Sequence, residues 1–135
     1  MVHKKTILII DDHPLFREGL KAIIERDNRF EVVGEAGNGR EGLRLAKELK
    51  PDLALVDMSL PDKSGIQLTR ELKNASLKTR IMIITMHSKV DYIVKAFRAG
   101  ATGYVVKESA SERLLQGMDT VLKGEYFMDS SVSHK

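Results

Sequence analysis

A chain of 135 residues, 42% hydrophobic and 30% charged, is long enough for one packed domain and ordinary for a globular protein. The absence of cysteine excludes a disulfide framework and a thiolate metal site, so a cytoplasmic protein is the simplest reading. Twenty-two basic against 19 acidic residues leave a net charge of only +3. The basic residues alternate with acids, as in Glu41-Gly-Leu-Arg-Leu-Ala-Lys-Glu48, which reads as a solvated face rather than a nucleic-acid patch.

Met-Val-His-Lys-Lys-Thr leads into only four apolar residues before Asp11, too few for a signal-peptide core or a membrane span. Lys5–Ile10 predicts a buried strand ending in Asp11 and Asp12. Pro14 suits the first turn of a helix whose apolar face is Phe16, Leu20, Ile23 and Ile24. Phe30–Ala36 interleaves Glu31 and Glu35 with valines, as an edge strand does. Asn38 and Glu41 form a capping-box-like start to a second helix, and Pro51 closes it. Leu53–Val56 is a continuous apolar run into Asp57, with Pro61 and Asp62 to turn the chain beyond it. Ser64 and Gln67 cap a third helix carrying Leu68 and Leu72.

Arg80–Thr85 predicts a fourth strand. Ser88 and Asp91 are expected to cap a fourth helix with Val90, Ile93, Val94 and Phe97 as its apolar stripe and Gly100 as its end. Thr102–Val106 predicts a short fifth strand ending at Lys107. Ser109 and Glu112 are expected to start a last helix, with Leu114, Leu115, Met118, Val121 and Leu122 on one face and Gly124 after it. The domain is therefore expected over residues 1–124. Residues 125–135, polar and Ser-rich, read as a tail or the start of a linker.

Five strand–helix units in succession predict an α/β three-layer fold with a parallel sheet. Right-handed crossovers favour the flavodoxin-like order 2-1-3-4-5, which puts the apolar first and third strands in the middle. Parallel strands share one direction, so Asp11, Asp12, Asp57, Thr85 and Lys107 fall on one rim. Three carboxylates brought together there repel one another and raise their pKa values unless a cation is present. A hard divalent ion with oxygen ligands, such as Mg²⁺, relieves that repulsion. Carboxylates also serve as nucleophiles that form aspartyl phosphates, and phosphoryl transfer needs positioning and charge neutralisation above all.

At these residues the chain closely resembles the receiver domain of bacterial two-component response regulators, over Lys4 to Gly124. The resemblance rests on the acidic pair, Asp57 with its trailing Leu60-Pro-Asp-x-x-Gly65, Thr85, and Lys107 preceded by Gly-Tyr-Val-Val. Asp11-Asp-His-Pro-Leu-Phe-Arg-Glu-Gly-Leu20 and Ala99-Gly-Ala-Thr-Gly-Tyr104 are similar to the NarL/LuxR-type subfamily. The resemblance implies that Asp57 is the phosphoacceptor, and that Asp11, Asp12, Asp57 and the Met58 backbone carbonyl hold Mg²⁺ or Mn²⁺. It implies that Lys107 pairs with phosphoryl oxygens, that Thr85 hydrogen-bonds them, and that Tyr104 is the aromatic switch residue. A sensor histidine kinase would supply the phosphoryl group, the fourth helix and fifth strand would repack, and two copies would pair. DNA binding would come only through a helix-turn-helix domain absent from this chain, so a fragment is favoured over a stand-alone single-domain regulator.

Departures from the family pattern sharpen the expectation. Met86 follows Thr85 where many receivers have a small residue, and is expected to limit small phosphodonors and slow hydrolysis. Ser59 stands where a haloacid-dehalogenase-type phosphatase carries a second Asp, which argues against an aspartyl-phosphate enzyme. The only chemistry expected is the chain's own phosphorylation and dephosphorylation. A pseudo-receiver would have lost part of the acidic pair or the lysine, and both are intact. Glu108 replaces a proline, so no cis bond is expected after Lys107. His3, His13, His87 and His134 lack metal-ligand spacing and are not read as ligands; His87 lies near the rim.

Overall fold

The apolar runs Lys5–Ile10 (β1) and Leu53–Asp57 (β3) lie side by side in the middle of one parallel sheet. The computed structural model describes residues 3–75, 77–87 and 89–129. Phe30–Ala36 (β2), Arg80–Thr85 (β4), Gly103–Val106 (β5) and Phe127–Met128 (β6) complete the order β2-β1-β3-β4-β5-β6, every pairing parallel. The helices are Pro14–Glu25 (α1), Gly39–Leu49 (α2), Gly65–Asn74 (α3), Val90–Ala99 (α4) and Ala110–Leu122 (α5). The flavodoxin-like order expected for the first five strands is the one present. No helix of the described residues is long and apolar enough to cross a membrane.

Successive side chains of a strand face opposite sides of the sheet, and here both sides are covered. Leu8, Ile10, Ala54, Val56, Ile81, Ile83, Tyr104 and Val106 pack with Ala46 of α2, Leu68 and Leu72 of α3, and Ile93 and Ala96 of α4. Ile7, Ile9, Leu53, Leu55, Met82, Ile84 and Val105 pack on the other side with Leu20 and Ile24 of α1 and Leu114, Met118 and Val121 of α5. Helices on both faces are why the central strands read as continuous apolar runs rather than alternating ones. Each fully buried Leu or Ile contributes about 1.5–3 kcal/mol, so these two layers dominate the roughly 1 kcal/mol of any single helix cap.

Local signals hold where expected. Asn38 accepts from the Glu41 N–H at 2.8 Å and Ser64 from the Gln67 N–H at 3.1 Å, while Pro14 opens α1. Gly100 ends α4 in the left-handed region at φ 116°, a conformation that disfavours a side chain. The peptide bonds of the described residues, including the one after Lys107, are trans.

Three expectations need correction. In α4 the buried seam is Ile93, Ala96 and Ala99, while Val90 and Val94 stay about two-fifths exposed, at 41% and 39%. Alanines seat this helix on the sheet, so the larger valines are rotated outward. Lys89 is the N-cap of α4 and makes no side-chain cap; Ser88 lies outside the described residues. Ser109 does not cap α5 either: a 3₁₀ turn over Lys107–Ser109 precedes the helix, and the Ser109 hydroxyl donates to the Val106 carbonyl and to Asp129.

Third, the stretch after Gly124 is not polar tail throughout. β6 pairs with β5, with the Phe127 N–H donating to Thr102 O at 2.9 Å and the Asp129 N–H to Tyr104 O at 3.0 Å. Phe127 packs against Gly117 of α5, where an added Cβ would lie 2.8 Å from its ring. The short apolar pair Phe127-Met128, too brief to show strand periodicity, is held by these tertiary contacts. Residues 130–135 of the expected tail lie outside the described residues.

Candidate functional site

Every strand from β1 to β5 except β2 delivers a polar residue to the C-terminal rim. Asp11 follows β1, Asp57 ends β3 and Thr85 ends β4, and each is buried at 1–3% exposure. Because β1 and β3 pair directly, the acidic pair and Asp57 meet without any loop having to reach across. Lys107, just after β5, extends over them with its side chain only 8% exposed. Its Nζ lies 3.2 Å from Asp57 Oδ2, 3.0 Å from Asp11 Oδ2 and 4.5 Å from the Phe16 ring centroid.

Two aspects of the local chain path aim Asp57. The Ser59 N–H donates to Asp57 Oδ1 at 3.2 Å. The Gly65 N–H donates to Met58 O at 2.7 Å, bringing the start of α3 against the end of β3. A Cβ on Gly65 would collide with the Asp57 carbonyl oxygen and come 2.9 Å from Met58 Cα, which explains the glycine that ends the Leu60–Gly65 motif. Asp62 in that motif accepts from the N–H groups of Gly39 and Arg40 at 2.8 and 2.9 Å, tying the loop to the start of α2. Burial raises the Asp62 pKa, but these backbone donors prevail and hold it below the ordinary carboxylate value.

Burial is the main influence on Asp57 and, with the Asp11 charge, lifts its pKa above the ordinary value. The Ser59 N–H and Lys107 oppose that rise without cancelling it. Asp11 Oδ2 and Asp12 Oδ1 are buried with no hydrogen-bond partner among the described residues. The 3.0 Å approach of Lys107 to Asp11 is therefore an ion pair without hydrogen-bond alignment. Oxygen atoms of three carboxylates, two lacking donors, form a set suited to a hard divalent cation. The Met58 carbonyl retains one lone pair beside its bond to Gly65.

Thr85 and Tyr104 converge on the two backbone groups of one residue, His87. The Thr85 hydroxyl accepts from the His87 N–H at 3.0 Å, and the Tyr104 hydroxyl donates to the His87 carbonyl at 2.9 Å. The His87 ring stacks on Tyr92 of α4, with centroids 4.6 Å apart. Tyr104 is fully buried, and burial pushes its phenol up to about 12, with the Thr85 hydroxyl working against the rise. Met86 stands outward at 76% exposure, and Ser59 is exposed beside Asp57.

Asp11, Asp12, Asp57 and Lys107 are brought together, Thr85 stands at the end of β4 with its hydroxyl engaged by the His87 N–H, and other residues join the cluster. His13 places Nδ1 3.1 Å from Asp11 Oδ1, 3.1 Å from Asp12 Oδ1 and 3.6 Å from Asp57 Oδ2. Phe16 was legible only as a core residue of α1, and Asp129 only as part of a tail. Asp129 is fully buried and accepts from the Val106 N–H at 3.0 Å, fixing the end of the strand that carries Lys107. An acidic residue directly after the apolar Phe127-Met128 pair was the available signal for it.

The family model described as the response regulator receiver domain matches residues 7–119. The nitrate/nitrite response regulator protein NarL of Escherichia coli strain K12 is 37% identical over 95% of this chain, which spans 59% of NarL's length. Among solved structures, a LuxR-family two-component response regulator from Aurantimonas sp. SI85-9A1 superposes with a TM-score of 0.92. Its identity is 38%, and the alignment covers 96% of this chain and 93% of that one. The isolated receiver (REC) domain of RcsB from Salmonella enterica serovar Typhimurium gives a TM-score of 0.88 at 26% identity, covering 96% of each chain. With the match running from β1 into α5 and the rim residues intact, this chain belongs to the response regulator receiver domain family, among its NarL/LuxR-type members.

Proposed function

We propose that Asp57 accepts a phosphoryl group from a sensor histidine kinase and that the change in charge is read out by α4 and β5. The observation that carries this reading is the position of Lys107, whose ammonium sits between the carboxylates of Asp57 and Asp11 at 3.2 and 3.0 Å. One carboxylate oxygen of Asp57 attacks the phosphorus, the bond from phosphorus to the donor nitrogen breaks, and an acyl phosphate forms on Asp57. Lys107 then pairs with phosphoryl oxygens in place of the Asp57 carboxylate. Asp11, Asp12, Asp57 and the Met58 carbonyl would hold Mg²⁺ or Mn²⁺, which supplies charge neutralisation at the phosphoryl oxygens. The donor-free buried oxygens of Asp11 and Asp12 fit that role.

The Thr85 hydroxyl donates to a phosphoryl oxygen on Asp57, and its turn toward that oxygen carries it away from the His87 N–H that it accepts from in the unphosphorylated chain. The loop between β4 and α4 then loses that tie while the bond from Tyr104 and the stacking of His87 on Tyr92 remain, and α4 with β5 repacks. The RcsB receiver structure, solved in the presence of the phosphomimetic BeF3⁻, supports an acyl-phosphate site in a fold of this kind. Ser59 and Met86 flank the site as modulating positions. The output would be transcriptional, through a helix-turn-helix DNA-binding domain outside this chain and through pairing of two phosphorylated copies; the name of NarL as a nitrate/nitrite response regulator supports a regulatory role.

Incubation with acetyl phosphate and Mg²⁺, followed by intact mass measurement, tests the proposal. One phosphoryl adduct on the wild type and none on Asp57→Asn is the expected result. An unmodified wild type, or an adduct that persists in Asp57→Asn, overturns it.

A further inference from the structure

His13 is the residue of the rim that the proposed phosphoryl chemistry leaves unused, yet its Nδ1 sits among every charged group there. Besides its three carboxylate approaches, it lies 3.2 Å from Lys107 Nζ. Neither form of a neutral imidazole satisfies those neighbours. With a proton on Nδ1 the ring donates to Asp11 but presents N–H to an ammonium. With a lone pair there it accepts from Lys107 but faces carboxylate oxygens at 3.1 Å. A cation among these atoms resolves the conflict, since lone pairs on nitrogen and oxygen then point at one positive centre.

The separations of His13 Nδ1 from Asp11 Oδ1, Asp12 Oδ1 and Asp57 Oδ2, at 3.1, 3.1 and 3.6 Å, are those of adjacent ligands. In an octahedral site with metal–ligand distances of about 2.1 Å, adjacent ligand atoms are about 3.0 Å apart. One atom each from Asp11, Asp12, His13 and Asp57 all lie within 4.8 Å of one another, the only such group among the described residues. The ring is also not otherwise engaged: His13 is the N-cap of α1 but makes no side-chain cap, and its side chain is 60% exposed.

We infer that His13 is a further protein ligand of the cation site and shifts its preference toward borderline divalent ions such as Co²⁺ over Mg²⁺. The inference rests on the reading of Asp11, Asp12 and Asp57 as a cation site. Imidazole nitrogen favours the later first-row metals, whereas Mg²⁺ prefers oxygen and keeps its waters. Loss of the ring therefore weakens Co²⁺ binding selectively, because a water replaces it for Mg²⁺ at little cost.

Calorimetric titration of the wild type, His13→Ala and the bulkier His13→Gln with Co²⁺ and, separately, with Mg²⁺ tests this. The same proteins carrying Asp11→Asn and Asp12→Asn give the Co²⁺ bound by other groups, which is subtracted. Loss of the ring is expected to weaken Co²⁺ binding by about tenfold or more and Mg²⁺ binding by less than about twofold. The visible absorption of bound Co²⁺ should change in parallel. Equal losses for the two ions, or no loss for Co²⁺, overturn the role of His13 while leaving the cation site standing. A wild type that binds neither ion at the acidic cluster overturns both.

Discussion

Around Asp57, burial and the Asp11 charge favour the protonated carboxyl, while the Ser59 N–H and Lys107 favour the carboxylate, and the first pair prevails. A carboxyl whose pKa is higher folded than unfolded destabilises the fold when ionised. That penalty is complete above the folded value and fades as pH falls toward the unfolded value of about 3.9. Asp57→Asn is therefore expected to be more stable than the wild type at pH 7 in metal-free buffer. The difference should close below pH 4, as read from denaturant midpoints across pH. Met86 is a separate case: its side chain is solvent-facing next to Thr85. Met86→Ala is expected to lose its phosphoryl group severalfold faster than the wild type in a chase followed by intact mass; an unchanged lifetime counts against any screening by the methionine. These rim residues were legible in the sequence because each has the right chemistry at the end of an apolar run. His13 was not, because proximity to three carboxylates depends on how the chain turns into α1 rather than on any ligand spacing.

Elements β4, α4, β5 and β6 form a connected unit on one side of the sheet. His87 links Thr85 and Tyr104 through its N–H and its carbonyl, so the loop before α4 is held on both sides of one residue. Asp129 holds the far end of β5 through the buried Val106 N–H. Asp129→Ala leaves that donor unpaired and is expected to cost about 1–3 kcal/mol, measured by urea unfolding. Asp129→Asn retains an acceptor oxygen and should lose less. The strand–helix alternation and the caps at Asn38 and Ser64 could be read locally, since each depends on residues within a turn or two. The outward rotation of Val90 and Val94, the redirected Ser109 hydroxyl and the sixth strand could not. Each is decided by a partner distant in the chain: the sheet beneath α4, Asp129 beneath Ser109, and β5 beside Phe127.

For the molecule as a whole, the carboxylate cluster joins binding to stability. An ion that binds the folded chain at ten times its dissociation constant adds about 1.4 kcal/mol, or about 5 °C in Tm for a chain of this length. Thermal melts with and without saturating Mg²⁺ should show a shift of that size in the wild type and a smaller one in Asp57→Asn, which has given up one carboxylate. The sixth strand carries a different consequence, for solubility. Phe127 and Asp129 occupy the backbone hydrogen-bonding positions beside Thr102 and Tyr104 that would otherwise face solvent. A chain trimmed at Gly124 would present β5, with buried Tyr104 and Val106, as an open template on which another copy could add a strand. Such a truncation is expected to self-associate in sedimentation velocity at concentrations where the 135-residue chain sediments as a single smaller species.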